Sequence, residues 1–318
     1  MRVGLQTILW GRRIDDLDLV LDQIAACGYQ GIEIAHDPDE LWFWDETQQR
    51  SRHIEKISEL LEMLERPGRN LKLIGLAGGP LKKRMEFCEN HREFYLYVDE
   101  WDATAEEALA TDPPFTLALH PHLFMDVHRY ARAKRILRDH KEDNLKFLPD
   151  TAHLSIAGDD ILQAIQKYYK RLAAVHLKDW TPDFGRHSLR YARGFLELGR
   201  GVIPLDDTLR LLDAKKYKGW IVVEQDHPTT SPEDAARSCA AWLAARKIMP
   251  SPSVERLTQL RQRKTITRVA DDWPRDKELE FLRTISAPSG FDLSACAGIN
   301  SGLISGTGCN SIRAKRCA

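Results

Sequence analysis

Residues 173–180 read Ala173-Ala174-Val175-His176-Leu177-Lys178-Asp179-Trp180. A brief apolar run that does not strictly alternate and ends in charge reads as a parallel strand covered on both faces. Runs of the same kind recur along the chain at 3–8, 31–35, 71–77, 94–98, 115–119, 145–148 and 220–223, which with 173–177 makes eight. The segments between them have helical periodicity. In 15–26 the apolar positions are 17, 19, 20, 21 and 24, and Gly28 suits the helix end; 51–64 and 232–245 read similarly. Eight strand-helix alternations predict an α/β fold, a closed (β/α)8 TIM barrel with a C-terminal extension. Such a barrel needs about 250 residues, so one domain fills most of the chain. An open doubly wound sheet is the competing fold, but it usually has a glycine-rich phosphate turn after its first strand, and Gln6-Thr7-Ile8-Leu9-Trp10-Gly11 is not one.

The barrel is expected over 1–249. Pro250-Ser251-Pro252-Ser253 then opens a linker and helical extension over 250–285, in which Val254 to Arg263 forms one more charged helix. From 286 to 318 glycine, serine, alanine and cysteine dominate before a basic end, so there is little apolar surface to offset the entropy of ordering, and disorder is expected. Truncation after Ile285 should therefore leave the thermal midpoint and activity nearly unchanged. A large loss of either in scanning calorimetry or a turnover assay would mean that the tail packs on the barrel or across a subunit interface.

Lysine and arginine total 46 against 47 acids, for a net charge of -1. That balance gives no general reason to expect nucleic acid or an anionic membrane as partner, and favours a small, weakly charged ligand. Homo-oligomerisation stays open. The six cysteines have no CxxC spacing in a chain too long to depend on disulfides, which points to a reducing, cytoplasmic setting. Charges at Arg12, Arg13, Asp15 and Asp16 interrupt any signal-peptide core or membrane span.

In such a barrel the active site lies at the carboxyl ends of the strands, so the residues just past each apolar run are the candidates. These are His120 and His122 after the fifth run, Asp150 and His153 after the sixth, His176 at the end of the seventh and Glu224 after the eighth. Any one histidine at a strand end is more often structural than a ligand. Four consecutive strands aiming an imidazole or carboxylate at one rim are harder to dismiss, since a shared dication offsets the several kcal/mol, roughly, of burying each carboxylate. Mixed nitrogen and oxygen donors suit manganese, cobalt, zinc or iron and disfavour calcium.

The sequence resembles the xylose isomerase-like sugar isomerase and epimerase superfamily, closest to its inosose-dehydratase-like branch. The resemblance covers residues 1 to about 247. It is carried by GYQGIEI (28–34), LIGLAGG (73–79), LALHPH (117–122), DTAHLSIAG (150–158), AVHLKDW (174–180), GFLELGRG (194–201) and KGWIVVEQD (218–226). It implies that Asp150, His176 and Glu224 hold one divalent metal ion, manganese as first choice and zinc, cobalt or magnesium as alternatives. Many sugar epimerases have glutamate at the end of the fifth strand, where this chain has His120. His120 is taken as the fourth ligand, with His122 as the competing choice. The resemblance also implies that His153 and Lys178 face the substrate and that Asp126 meets a sugar hydroxyl. His122 is a further candidate substrate contact, and Glu33, at the end of the second run, could orient a ligand or the substrate. Arg193 and Arg200 lie in a segment that could close over the site or be solvated surface. Trp10, Trp42, Trp44 and Trp180 follow strand ends, where they either pack in the core or rim or stack on a sugar ring.

The chemistry implied is proton abstraction next to a metal-bound carbonyl of a keto-sugar or keto-polyol such as a cyclitol, with Glu224 as base and Lys178 and His153 assisting. Return of the proton, the first expectation, makes an isomerase or epimerase; loss of a neighbouring hydroxyl makes the alternative, an inosose-type dehydratase, a lyase. Epimerisation by two glutamates needs a base on each face, which His120 disfavours. Two competitors are a DNA repair nuclease like endonuclease IV, which needs a basic face the charge balance does not suggest, and a barrel that binds without turnover.

Overall fold

The computed structural model describes residues 1–263 except 12, 46, 89–90, 92, 111–114, 124, 141–142 and 183–193. Eight parallel strands form one sheet in the order Leu145–Phe147 (β8), Thr116–Leu119 (β7), Tyr95–Val98 (β6), Lys72–Leu76 (β5), Gly31–Ile34 (β2), Arg2–Gln6 (β1), Trp220–Val223 (β12) and Ala174–Leu177 (β9). Seven of the expected apolar runs contain one of them, and β1 overlaps the run 3–8 from one residue earlier. The edges β8 and β9 meet through two isolated parallel bridges, Phe147 with Leu172 and Asp150 with His176, which nearly close the barrel. The second bridge places two candidate ligands side by side at the seam.

Helices fill the intervals, among them Leu81–Cys88 (α3), Ala103–Ala110 (α4), Tyr130–Asp139 (α5) and Ile161–Tyr168 (α7). Asp16 caps Leu17–Ala26 (α1) by accepting the Leu19 amide at 3.2 Å, and the chain leaves that helix through Gly28 at φ +89°. Ile57–Glu65 (α2), Leu205–Ala214 (α8) and Pro232–Ala245 (α9) likewise bury one apolar face on the sheet. The expected helix over 51–64 starts later than its periodicity suggested. Arg50–His53 (β4) instead pairs antiparallel with Trp42–Asp45 (β3), and the Ile54 amide continues the ladder to the Leu41 carbonyl. The turn is set by Asp45, whose Oδ1 accepts the Thr47 and Gln48 amides at 2.9 and 3.0 Å, with Gln49 at φ +50°.

The extension helix forms as expected, Val254–Arg263 (α10). It packs on α1 through buried Leu257 and Leu260, and Arg256 donates to the Gly68 carbonyl at 2.6 Å. Residues 264–285 and the expected disordered tail, 286–318, lie outside the described residues. Among the described residues no helix is long and apolar enough to cross a membrane.

Inside the barrel, side chains two apart on a strand point the same way. Ala118, Leu148, Ala174 and Val222 belong to one buried cluster with Ile74, Tyr95, Tyr97 and Trp220. Two residues further along the same four strands come His120, Asp150, His176 and Glu224. Gly4 and Gly31 make room for this packing: a Cβ on Gly4 would lie 2.1 Å from the Ile74 side chain, and one on Gly31 would lie 2.8 Å from Ile74 and Trp220.

Candidate metal centre

The four candidate ligands are brought together. One donor atom from each of His120, Asp150, His176 and Glu224 lies within 4.8 Å of the others, and His122 is not in that group. His120, Asp150 and His176 have no solvent exposure, and Glu224 is buried. Asp150 N-caps a short helix, Thr151–Ile156 (α6), with one oxygen: Oδ1 accepts the Ala152 and His153 amides at 2.7 and 2.6 Å. Its Oδ2 has no hydrogen-bond partner among the described residues, and neither do His176 Nδ1, Glu224 Oε2 or the two nitrogens of His120. His176 Nδ1 and Glu224 Oε2 approach to 2.5 Å yet are not aligned as a hydrogen bond. A buried polar atom without a partner costs about 1–3 kcal/mol. One such atom from each of the four side chains, a single nitrogen in the case of His120, fits a single divalent cation, with imidazole nitrogen and carboxylate oxygen as donors.

The protonation of these groups follows from their burial and neighbours. Burial, reinforced by His176, holds His120 well below the usual histidine value, so it is a neutral ring with a lone pair to give. Burial also lowers His176, but the Glu33 and Glu224 carboxylates outweigh it and lift the group to about 10. Burial raises Asp150 to about 7 against the pull of Lys178. Glu224 would rise on burial alone; the charges of Lys178 and His176 hold it well below the usual range.

A second group of donors, His153, Glu224 and Asp226, is close enough to suggest another ion. The cation among them is Lys178. Its Nζ donates to Glu224 Oε1 at 2.6 Å and to His153 Nε2 at 3.1 Å, lies 2.8 Å from Asp226 Oδ2, and sits 4.3 Å from the centre of the Phe195 ring. Thr151 fixes the lysine's backbone, its Oγ1 accepting the Lys178 amide at 2.9 Å and donating to the Lys178 carbonyl at 2.8 Å. Because His153 Nε2 accepts from the ammonium, its proton is on Nδ1. His122 is half-buried, with its ring 4.0 Å from that of His153, and its Nδ1 donates to the Leu123 carbonyl at 2.7 Å. That bond leaves the lone pair of the neutral His122 ring on Nε2.

The loop beyond β9 is organised by Asp179, which accepts the amides of Gly199, Gly201 and Ile203 at 2.8, 2.9 and 3.2 Å. Gly199 has φ +83°, and a Cβ on Gly201 would strike the Asp179 carboxylate at 2.3 Å. The short strands Asp179–Trp180 (β10) and Phe195–Leu196 (β11) pair there and hold Trp180 half-buried at the rim.

Other expected contacts lie elsewhere. Asp126 is exposed and pairs with Arg132 at 3.1 Å, outside the ligand cluster. Glu33 has no exposure and faces His176, with Oε2 3.1 Å from Nε2, so it lies behind a candidate ligand and not against a substrate. Trp10 is a core residue whose Nε1 donates to Gln23 at 3.2 Å. Trp42 and Trp44 sit in the β3–β4 hairpin, where Trp42 meets the His53 ring at 5.2 Å. Arg200 is exposed and paired with Glu197 at 3.0 Å, and Arg193 lies outside the described residues. Sequence reasoning missed Asp226, two residues past Glu224, and Tyr97, whose ring lies 4.3 Å from that of His120. The two-residue strand period, extended one step beyond Glu224, is the signal for Asp226; Tyr97 lies on β6, which carries no candidate to extend from.

A curated inosose dehydratase of Geobacillus thermodenitrificans is 24% identical over 198 residues, covering 57% of this chain and 66% of its own length. The chain thus spans just under two thirds of that relative. Among solved structures, the 3-keto-D-glucoside 4-epimerase YcjR of E. coli superposes with a TM-score of 0.57 at 17% identity, covering 77% of this chain and 99% of the other. The IolI protein with a bound zinc atom superposes with a TM-score of 0.53 at 16% identity, covering 79% and 100%. At such identities these likenesses bear on the fold alone. The model of one family matches residues 45–246, well over half of the 318, and the chain belongs to that family, the xylose isomerase-like TIM barrels.

Proposed function

We propose that the protein is a divalent-metal-dependent enzyme that removes a proton next to the carbonyl of a keto-polyol or keto-sugar and then eliminates a neighbouring hydroxyl as water. The observation that carries this reading is the convergence of unpartnered buried donor atoms from His120, Asp150, His176 and Glu224 at the carboxyl ends of the strands. A divalent ion held there would supply Lewis acidity that stabilises the charge developing beside the carbonyl.

The chain's own residues do the rest. Glu224 is kept ionised by Lys178 at 2.6 Å and takes the proton from the carbon beside the carbonyl. His153, with its proton on Nδ1, donates to a substrate hydroxyl, and His122 accepts one at Nε2. Trp180 at the rim covers the apolar face of the ring. Elimination is favoured over epimerisation by His120, which stands where many of the family's epimerases have a second carboxylate base, and by the likeness to inosose dehydratases. Isomerisation or epimerisation is the second reading, supported by the fold shared with sugar epimerases. Manganese is the proposed ion; the zinc bound by IolI makes zinc the alternative.

The test is elemental analysis of the purified protein, then turnover over a panel of keto-sugars and inososes, followed by ultraviolet absorbance for a new enone and by NMR for isomers. About one ion per chain and enone formation are expected. Cleavage of abasic-site DNA, sugar binding without turnover, or absence of stoichiometric metal would overturn the proposal.

Metal binding also links to stability, since only the folded chain gathers the four ligands. At free metal 100 times the dissociation constant the gain is about 2.7 kcal/mol, or roughly 5–10 °C in Tm for a domain of this size. Chelation should lower the calorimetric midpoint by that order, and manganese or zinc should restore it. An unchanged midpoint would count against a closed metal centre.

A further inference from the structure

We infer that Glu33 is a positioning residue that keeps the proton of His176 on Nε2, so that Nδ1 presents its lone pair to the metal. The inference rests on the metal reading above and adds to it which nitrogen binds, and why. Glu33 lies on β2, two residues beyond Gly31, so the strand period turns it into the barrel. It is fully buried, and its Oε2 lies 3.1 Å from His176 Nε2. The same Oε2 accepts from the Tyr95 hydroxyl, so it acts as an acceptor and the hydrogen facing it belongs to the imidazole.

The carboxylate is itself held in place. The Tyr95 hydroxyl donates to the same Oε2 and the Gln6 amide donates to Oε1, so β1, β6 and β9 each direct one donor at Glu33. His176 Nδ1, on the other side of the ring, is one of the unpartnered atoms and faces Glu224. His120 differs: neither nitrogen has a hydrogen-bond partner among the described residues, and its ring rests against Tyr97 at 4.3 Å. Of the two imidazole ligands, one is therefore preset by the barrel interior and the other is not. With Nε2 bonded to Glu33, the proton that metal displaces from His176 is the one on Nδ1 and the ring need not turn, and removing the carboxylate that fixes it typically costs about 10–100-fold in metal affinity.

Two measurements test this. In zinc-loaded wild type, long-range 15N–1H NMR of His176, assigned by its disappearance in His176→Gln, should show Nε2 protonated and Nδ1 carrying the metal. In competition against a chelator, Glu33→Gln should bind zinc about 10–100-fold more weakly. Tyr95→Phe, which disturbs the same buried cluster but leaves the acceptor facing His176, should show a much smaller loss. Zinc on Nε2, wild-type affinity in Glu33→Gln, or an equal loss in Tyr95→Phe would overturn the inference. Should Glu33→Gln fail to fold, the wild-type spectrum decides alone. A wild-type protein that elemental analysis shows to take up no metal overturns the metal reading as well, whereas zinc bound through Nε2 overturns this inference only.

Discussion

Asp150→Asn and Glu224→Gln are each expected to bring turnover below detection and to lower bound metal by more than about tenfold. Both changes keep the side chain's shape and remove an anionic oxygen from the cluster. In Asp150→Asn the remaining carbonyl oxygen can still cap α6 by accepting the Ala152 and His153 amides, so the local fold is preserved. The new NH2 then stands where Oδ2 was and offers hydrogens to a place that needs a lone pair. The metal-free variant should melt no lower than metal-free wild type, because burial already disfavours the Asp150 charge. Glu224→Gln removes the proposed base as well as a ligand, and loss of a general base alone is worth about 10²–10⁴ in rate. The checks are metal content after reconstitution and turnover on the same substrate. Full activity at normal metal loading in either variant would remove that residue from the site, whereas a metal-replete but inactive Glu224→Gln would make it base without being an essential ligand.

The fold was legible because a barrel repeats one simple signal. Every strand is a short run without alternation, and after β6, β7, β9 and β12 the next residue, Asp99, His120, Lys178 or Glu224, is polar for a reason that has little to do with packing. The same rule located His120, Asp150, His176 and Glu224, since a parallel strand delivers its last inward side chain to the rim. What it did not resolve was the inside of the site. The pattern leaves open whether Glu33 orients a ligand or the substrate and does not say what Lys178 pairs with; in the fold Glu33 stands behind His176 and Lys178 is fully buried against Glu224 and Asp226. Those partners come from strands 46 to 143 residues away, and local pattern carries no information about which buried charges meet. The β3–β4 hairpin escaped notice for a different reason: Arg50–His53 has no apolar alternation, and its pairing depends on the Asp45 turn and on Trp42–Asp45 opposite.

The arrangement around Lys178 leads to the largest expected loss of stability. Lys178→Met keeps most of the stem's length but leaves Glu224 and Asp226, which the ammonium contacts at 2.6 and 2.8 Å, without a cation between them. Breaking a buried pair by removing one partner costs about 3–5 kcal/mol, because the other charge stays buried. The Glu224 side chain is 5% exposed and should dominate; Asp226, at 17%, keeps some contact with water and moves the expectation toward the lower end. That corresponds to a fall of roughly 10 °C in Tm for a domain of this size. Turnover should fall too, since Lys178 is what holds the proposed base ionised. A double variant separates charge from packing. Lys178→Met with Asp226→Asn has one buried carboxylate fewer and should recover about half of the lost stability or more, if uncompensated charge is the cause. The single variant also opens the group formed by His153, Glu224 and Asp226, so excess metal should stabilise it more than it stabilises wild type, with a second ion visible in elemental analysis. Calorimetry of the three proteins with and without metal decides the matter. A Lys178→Met midpoint within a degree or two of wild type would mean that the two carboxylates find other compensation and that the lysine is not the cation the barrel interior depends on.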